Sequence, residues 1–410
     1  MADVLKLSKM TYIVVLGAAA VNLATGLVEP TIAPYLEVLG ATPTEIGIIY
    51  SMRFTMVAVA SLPLALFASR LGLVRFLYLS GVVTIIGGLA LAWSTGIDGV
   101  LLFYLFLGLA QAIQNGPGAA VVAENAGTKR VSALALFFST WMIPPAVGAA
   151  FSAVWFRDVT TYNPDVLSSI FPIVTGSLVV LGLAFVLLMF WTRNSAPESS
   201  ETQVPVVRQF RLLFAPLIVL PLVLLLAEEF MSGAGAGATL PFLTPYLKSL
   251  GATPAQLSLL VVLLNLSMGV ATQLSAPLAK KFGDLRVYAV GTGLSVICLL
   301  GIVFSGELYL SAGFFVLRGM FANMNAPIGQ SRILNFIHGK VRATGIATAT
   351  TARWVGWTVF SPISGQIIER HGYHTSFTFT SGIYVIAMAL FVWVNLRFVG
   401  LDEQDEESTT

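Results

Sequence analysis

Long apolar runs, an internal repeat half a chain apart and a one-sided distribution of Lys and Arg predict an all-α membrane protein, with twelve transmembrane helices in two pseudo-symmetric six-helix bundles. Hydrophobic residues make up 56% of the chain and charged residues 10%, where a soluble domain carries about 25% charge. Apolar runs longer than ~18 residues recur, and each is enough to cross a bilayer core. With no water in that core, backbone groups pair within each span, so the spans are helices. The repeat is direct. Ala33–Pro43 reads A-P-Y-L-E-V-L-G-A-T-P, and Thr244–Pro254 reads T-P-Y-L-K-S-L-G-A-T-P. Eight of the ten positions from Pro34 to Pro43 match their partners 211 residues later. The register continues to Gly72 with Gly283 and Arg75 with Arg286, and a weaker echo pairs Asn115 with Asn325 at an offset of 210. A period of half the chain belongs to two homologous bundles rather than to a solenoid.

The spans are expected near 11–37, 44–69, 73–94, 99–125, 130–156, 165–192, 213–247, 254–279, 285–305, 308–335, 341–368 and 374–398. The first follows Lys6 and Lys9 and is too long for the ~7–15-residue core of a signal peptide, so it reads as a retained helix. The seventh is over-long, and its glycine-rich stretch Ser232–Gly237 predicts a break. The breaks between spans carry turn residues or charge, such as Gly40–Pro43, Arg70–Arg75, Gly251–Pro254 and Lys280–Arg286. These spans give a first bundle at 1–192, a polar linker at 193–211, a second bundle at 212–399 and an acidic tail at 400–410. With the N-terminus inside, 15 of the 22 Lys and Arg fall on the inner side and three (Arg157, Lys248, Arg370) on the outer. That asymmetry places both termini in the cytoplasm of a multi-pass protein of the cell membrane.

Other chemistries find no support in the sequence. It has no Walker loop with its lysine, no metal-ligand spacing and no G-x-S-x-G or H-E-x-x-H motif. The expectation is no catalytic residue, no metal and no cofactor, and no nucleic-acid partner. The single Cys298 excludes an intrachain disulfide. A membrane enzyme or a sensor remains the remote alternative, disfavoured by short loops and the lack of a soluble output domain.

Two sixes of spans about a polar linker, with both termini inside, resemble the major facilitator superfamily. That family's loop motif, roughly G-x-x-x-D-R-x-G-R, is similar to Ala65–Arg75 and to Ala276–Arg286. Arg70, Gly72, Arg75, Gly283 and Arg286 keep its Gly and basic residues, while Ser69 and Lys280 stand where the family has Asp. In the fifth span, Trp141–Ala149 resembles the G-P-x-x-G-G stretch of drug/proton antiporters, with Pro145 and Gly148 in register. The same stretch also reads as a proline kink with small residues for helix contact. The resemblance implies a secondary transporter working by alternating access. It also implies a central cavity lined by the first, fourth, seventh and tenth spans.

Ionisable groups inside the membrane are few, and each needs a partner or a role. Glu29, Glu228 and Glu229 are the proton-coupling candidates. Asn22, Arg53, Gln111, Gln114, Asn115, Arg318, Asn325, Arg353 and Trp357 are the substrate-binding candidates. A structural pair is the competing reading for Glu29 with Arg53, for Arg318 with a glutamate of the seventh span, and for Arg353 over a tryptophan. Glu124 and Arg332, near the inner ends of their spans, join Lys129, Arg130 and Arg342 as gating candidates. The expected partners are a small-molecule substrate, protons or another coupling ion, and membrane lipid, acting on a monomer. The resemblance in the fifth span and the apolar, aromatic-rich interior together lean towards efflux of amphipathic compounds, with exchange for a proton as the expected coupling. The intramembrane arginines favour the alternative, proton-coupled transport of organic anions, because a guanidinium fork suits carboxylate or phosphate.

Overall fold

A computed structural model describes residues 7–71, 73–93, 96–114, 118, 121–122, 125, 130–192, 219–329 and 342–398. The linker at 193–211 and the tail at 400–410 lie outside these residues, as do Gly72, Asn115, Glu124, Lys129 and Arg332 and the side chains of Arg70, Arg75, Arg130 and Arg342. The described residues are helical throughout, joined by turns. The helices are α1 (Lys9–Val38), α2 (Pro43–Leu71), α3 (Leu73–Trp93), α4 (Ile97–Ile113), α5 (Arg130–Ser139), α6 (Ile143–Trp155), α7 (Pro164–Ser168), α8 (Phe171–Thr192), α9 (Val219–Ser249), α10 (Pro254–Phe282), α11 (Asp284–Phe304), α12 (Leu308–Met324) and α13 (Arg342–Phe398). Long apolar helices such as α1, α9, α10 and α11 have the length and hydropathy to cross a bilayer.

The repeated stretch, Ala33–Pro43 and Thr244–Pro254, is a helix stop followed at once by a helix start. Gly40 and Gly251 take φ of 89° and 93°, the left-handed region that glycine enters without a Cβ penalty. Behind each glycine, a 6→1 bond closes the preceding helix: Ala41 N–H to Leu36 O at 2.9 Å and Ala252 N–H to Leu247 O at 3.0 Å. Thr42 and Thr253 then open the next helix through reciprocal capping boxes. Thr42 N–H donates to Glu45 Oε2 at 2.8 Å and Glu45 N–H to Thr42 Oγ1 at 3.2 Å. Thr253 and Gln256 do the same at 2.8 and 3.3 Å. Pro43 and Pro254 stand at the first helical position, where a missing N–H costs nothing.

Two features differ from the expected spans and one agrees with them. The fifth span is interrupted between α5 and α6, because Pro144 and Pro145 lack the N–H that would continue the helix and instead start a new one. The eleventh and twelfth spans, both within α13, are two helices that meet at Gly372, with φ of 80°, in the gap expected between them. The seventh span is not broken at its glycines: α9 is helical over 31 residues, through Ser232–Gly237. There the glycines serve packing. A Cβ on Gly233 would lie 1.9 Å from the Arg353 carbonyl oxygen, and one on Gly237 2.5 Å from that of Trp357. From the other side, a Cβ on Gly356 would meet the Phe230 carbonyl at 2.0 Å. Backbones this close leave room only for hydrogen side chains, the small-residue contact usual between membrane helices.

The chain divides into two compact units, Met1–Glu201 with Pro241–Leu266, and Thr202–Leu240 with Ser267–Thr410. The first unit thus holds the end of α9 and the start of α10. Its core gathers Val14, Ala18, Leu77, Ile113 and Phe137. Gly26 and Gly148 bring α1 and α6 together, since a Cβ on Gly148 would lie 2.3 Å from the Leu23 carbonyl. Within this unit Lys248 Nζ meets Glu37 Oε2 at 2.7 Å, and the two residues occupy equivalent positions of the repeat. Tyr162 completes the cluster: its ring lies 5.0 Å from Lys248 Nζ and its hydroxyl donates to the Ala252 carbonyl at 2.5 Å. The second unit packs α9, α11, α12 and α13 around Leu225, Val287, Met324, Phe391 and Val394.

Candidate functional site

Each unit gathers its intramembrane charges into a polar cluster. In the first, α1, α2 and α4 bring together Glu29, Arg53, Gln111 and Tyr104. Arg53 Nη1 lies 3.6 Å from Glu29 Oε2, and its Nε donates to Gln111 Oε1 at 2.9 Å. The Tyr104 hydroxyl donates to Glu29 Oε2 at 3.4 Å, with its ring 5.1 Å from that of Tyr50. The backbone allows this because a Cβ at Gly108 would lie 2.2 Å from the Arg53 carbonyl, so α2 and α4 cross with no side chain between them. Glu29 is thus placed both as an ion-pair partner and as a partly accessible carboxylate, a third of its side chain exposed.

Two other candidates in this unit face inward within it. Asn22 donates back to the Ala18 carbonyl at 3.0 Å. Gln114 donates to Ser80 Oγ at 3.0 Å and is buried.

The second cluster is larger. Glu228 and Glu229 follow one another on α9, about 100° apart around the helix, and meet different partners. Glu229 Oε2 accepts from Arg353 Nε at 2.6 Å. Glu228 Oε1 accepts from the Tyr288 hydroxyl at 2.6 Å and from Ser232 Oγ, one turn on, at 3.0 Å. Among the described residues no Lys or Arg lies within 4 Å of Glu228, which is 2% exposed. Tyr288 is held in place by stacking on Phe391, with ring centroids 3.7 Å apart. Asn325 of the α12 end donates to the Tyr288 carbonyl at 3.1 Å and to Thr292 Oγ1 at 2.8 Å. Between these groups lies a cavity of about 40 Å³, lined by Glu228, Glu229, Ser232, Tyr288, Thr292, Ser295, Asn325, Arg353 and Tyr384. That is room for roughly three waters at 10–15 Å³ each.

Arg318 sits apart from the glutamates. It is 3% exposed, its Nη2 donates to the Tyr384 hydroxyl at 2.6 Å, and its Nε has no hydrogen-bond partner among the described residues. The pairing weighed for it with a glutamate of the seventh span is not formed. Nor is Arg353 held over a tryptophan face; its guanidinium pairs with Glu229. Trp357 lies beside Trp354, with ring centroids 6.0 Å apart, and its backbone packs against Gly237.

Of the loop residues, Gly283 takes φ of 88° ahead of α11, so that position requires glycine for its backbone, and Arg286 is exposed. Sequence reasoning missed Tyr104, Tyr288 and Tyr384, which hold the charged groups in both clusters. Their signal was available: a tyrosine in the middle of an apolar span buries a hydroxyl that needs a partner.

The arrangement offers groups suited to binding and to proton exchange. The clusters present carboxylates, guanidinium groups and phenols, and among the described residues no group of His, Cys, Asp and Glu could hold a metal ion.

The chain is 25% identical over 393 residues to the multidrug resistance protein MdtG of Salmonella paratyphi A, covering 93% of this chain and 94% of that one. Among solved structures it resembles a bacterial homologue of the lysosomal transporter Spinster, with TM-score 0.73, 12% identity and coverage of 95% and 97%. It resembles the nucleoside transporter NupG as well, with TM-score 0.72, 14% identity and coverage of 94% and 99%. At these identities the structural likeness speaks for the fold alone. The model of the Major Facilitator Superfamily matches residues 14–228 and 229–407, and with these matches spanning both units, the chain belongs to that superfamily: it is a multi-pass membrane transporter and not an enzyme.

Proposed function

We propose that the protein is a secondary transporter of the cell membrane, with both termini cytoplasmic, that exports small amphipathic organic compounds in exchange for protons by alternating access. Glu228 carries this reading. It is a buried carboxylate that accepts from two hydroxyls, has no cation within 4 Å among the described residues, and faces a cavity able to hold water. A carboxylate so placed exchanges its proton with cavity water or yields its place to a cationic group on a substrate, and the two events exclude each other. The charged or titratable groups around it are Glu229 on its own helix, Tyr288 on α11, and Arg353 and Tyr384 on α13. The Glu229–Arg353 pair beside it is internally neutral, which leaves Glu228 as the group whose charge changes. The likeness to a multidrug resistance protein along nearly the whole chain supports efflux of organic compounds.

The test is transport by the purified protein in proteoliposomes under an imposed pH gradient, with a panel of lipophilic amines and neutral amphipaths. Glu228→Gln is expected to abolish gradient-driven accumulation while leaving exchange at equal concentrations. Uphill transport by this variant with unchanged pH dependence would remove Glu228 as the proton carrier. Glu29→Gln, examined alongside, decides whether the first cluster shares the role.

A further inference from the structure

In the second unit Glu228 and Arg318 are buried charges of opposite sign with no ion-pair partner among the described residues; Glu228 lines the cavity, and Arg318 stands behind Tyr384, which lines it too. Among the described residues Glu228 accepts only from hydroxyls. Arg318 is 3% exposed, has no carboxylate within 4 Å among the described residues, and keeps an unsatisfied Nε. Arginine is always ionised, and a buried charge without a counter-charge is costly, more so in a membrane. The Tyr384 hydroxyl accepts from Arg318 Nη2, so its own proton is left to donate, and Tyr384 lines the same cavity as Glu228.

The separation of the two poles follows from three helices. On α9, Glu228 marks one level and Gly235, packed against the Tyr384 ring, marks the other. On α12, Asn325 lies at the level of Tyr288, the partner of Glu228, and Arg318 at the level of Tyr384. On α11, Tyr288, Thr292 and Ser295 run along the cavity as a polar stripe at helical spacing. Each measure spans seven residues, about 10 Å at 1.5 Å per residue.

From this we infer that the second unit holds a two-pole site for a zwitterionic compound, its ammonium on Glu228 and its carboxylate on the Tyr384 hydroxyl that Arg318 backs. Arg318 Nη2 donates to the Tyr384 hydroxyl, which leaves that hydroxyl's own proton for a carboxylate in the cavity, and the guanidinium charge behind it favours an anion there. The narrow cavity between the poles admits a thin, unbranched linker. The inference rests on the proposed exchange at Glu228 and adds the class of compound. The ammonium competes with the proton there, so affinity rises as pH rises through the titration of Glu228, until the ligand amine itself loses its proton.

The test is calorimetry and thermal unfolding of the purified full chain with unbranched ω-amino carboxylates of graded length, against alkylamines and alkyl carboxylates of matching length. One length of zwitterion is expected to bind roughly tenfold or more tighter than either single-charge analogue, the equivalent of one charge-assisted hydrogen bond. Arg318→Gln should erase that advantage and leave the alkylamine affinity in place, and Tyr384→Phe should reduce it without removing a charge. Glu228→Gln should erase the amine contribution instead. Equal affinity for zwitterion and alkylamine, or an advantage untouched by both Arg318→Gln and Tyr384→Phe, overturns the two-pole site. Alkylamine exchange for protons with no such advantage overturns the site and leaves the exchange standing. An advantage with no accompanying proton movement keeps the site and overturns the exchange at Glu228.

Discussion

Glu229 and Arg353 show how burial decides what a charged contact is worth. Glu229 is 4% exposed and its partner is about a third exposed, so the pair is half inside the unit. Removing one member leaves the other's charge in place of a neutral pair, whereas removing both leaves two polar groups that can bond to each other. Arg353→Gln is expected to cost about 3 kcal/mol, the lower end for a broken buried pair because Arg353 is partly exposed. The double variant Glu229→Gln/Arg353→Gln should be more stable than that single variant, and unfolding of the three proteins in the same detergent measures the order. At this scale the sequence showed where the intramembrane charges lie but not how they would pair. Charged residues in an apolar span are legible at once, as Glu29, Arg53, Glu228, Glu229, Arg318 and Arg353 were. Their partners were not, because partner choice depends on helix rotation about the long axis. Arg318 meets Tyr384 rather than a glutamate for that reason, and adjacent Glu228 and Glu229 bond to different helices.

Among the elements, α9 and α13 carry the lesson about glycine. A run of glycines in a long helix reads as weakness when only propensity is considered. In the structure it is the reverse: the glycines are where α13 comes close enough for backbone to meet backbone. Gly233→Val should therefore disrupt the crossing and abolish monodisperse expression, because its Cβ would fall 1.9 Å from a carbonyl oxygen that cannot withdraw. Gly293→Ala is the control. Its Cβ would meet nothing within 4 Å, and alanine is up to about 1 kcal/mol better than glycine in a helix. A melting curve unchanged or raised for Gly293→Ala beside a lost Gly233→Val would separate packing from propensity. The helix limits of the repeat were legible for a related reason. A glycine in the left-handed region, a threonine cap and a proline are local devices, and local devices survive in a sequence read without its tertiary contacts. The Pro144–Pro145 interruption was equally local, but the expected fifth span ran through it because its hydropathy did not change.

For the whole molecule, the Glu37–Lys248 contact is the feature to test. The two residues stand at one position of the repeat with opposite charges and are bonded to each other in the first unit. Glu37→Lys and Lys248→Glu are each expected to lower transport and thermal stability, since each sets like charges face to face. The exchanged pair, Glu37→Lys with Lys248→Glu, should restore most of both, and failure to do so would mean the contact acts through something other than charge.

Tyr162 adds a pH signature to the same place. Burial, and then the Glu37 carboxylate, push its phenol well above the usual tyrosine range. A group whose proton is held more tightly in the folded protein gives stability that is complete below its unfolded pKa, about 10 for tyrosine, and is lost as pH rises beyond it. Tyr162→Phe should flatten that alkaline decline, which a series of melting curves above pH ~10 would reveal.

The charge reversal at this position also says something about the history of the chain. Were the two halves still identical copies, position 37 and its counterpart would carry the same charge, and the contact that now attracts would repel. The pair can exist only after the copies have diverged, and only when both are present in fixed order. A tandem chain built from the first half twice would set Glu against Glu there, and one built from the second half twice would set Lys against Lys. The bond therefore marks the two copies as no longer interchangeable, written as a single charge change within a stretch that is otherwise almost unaltered.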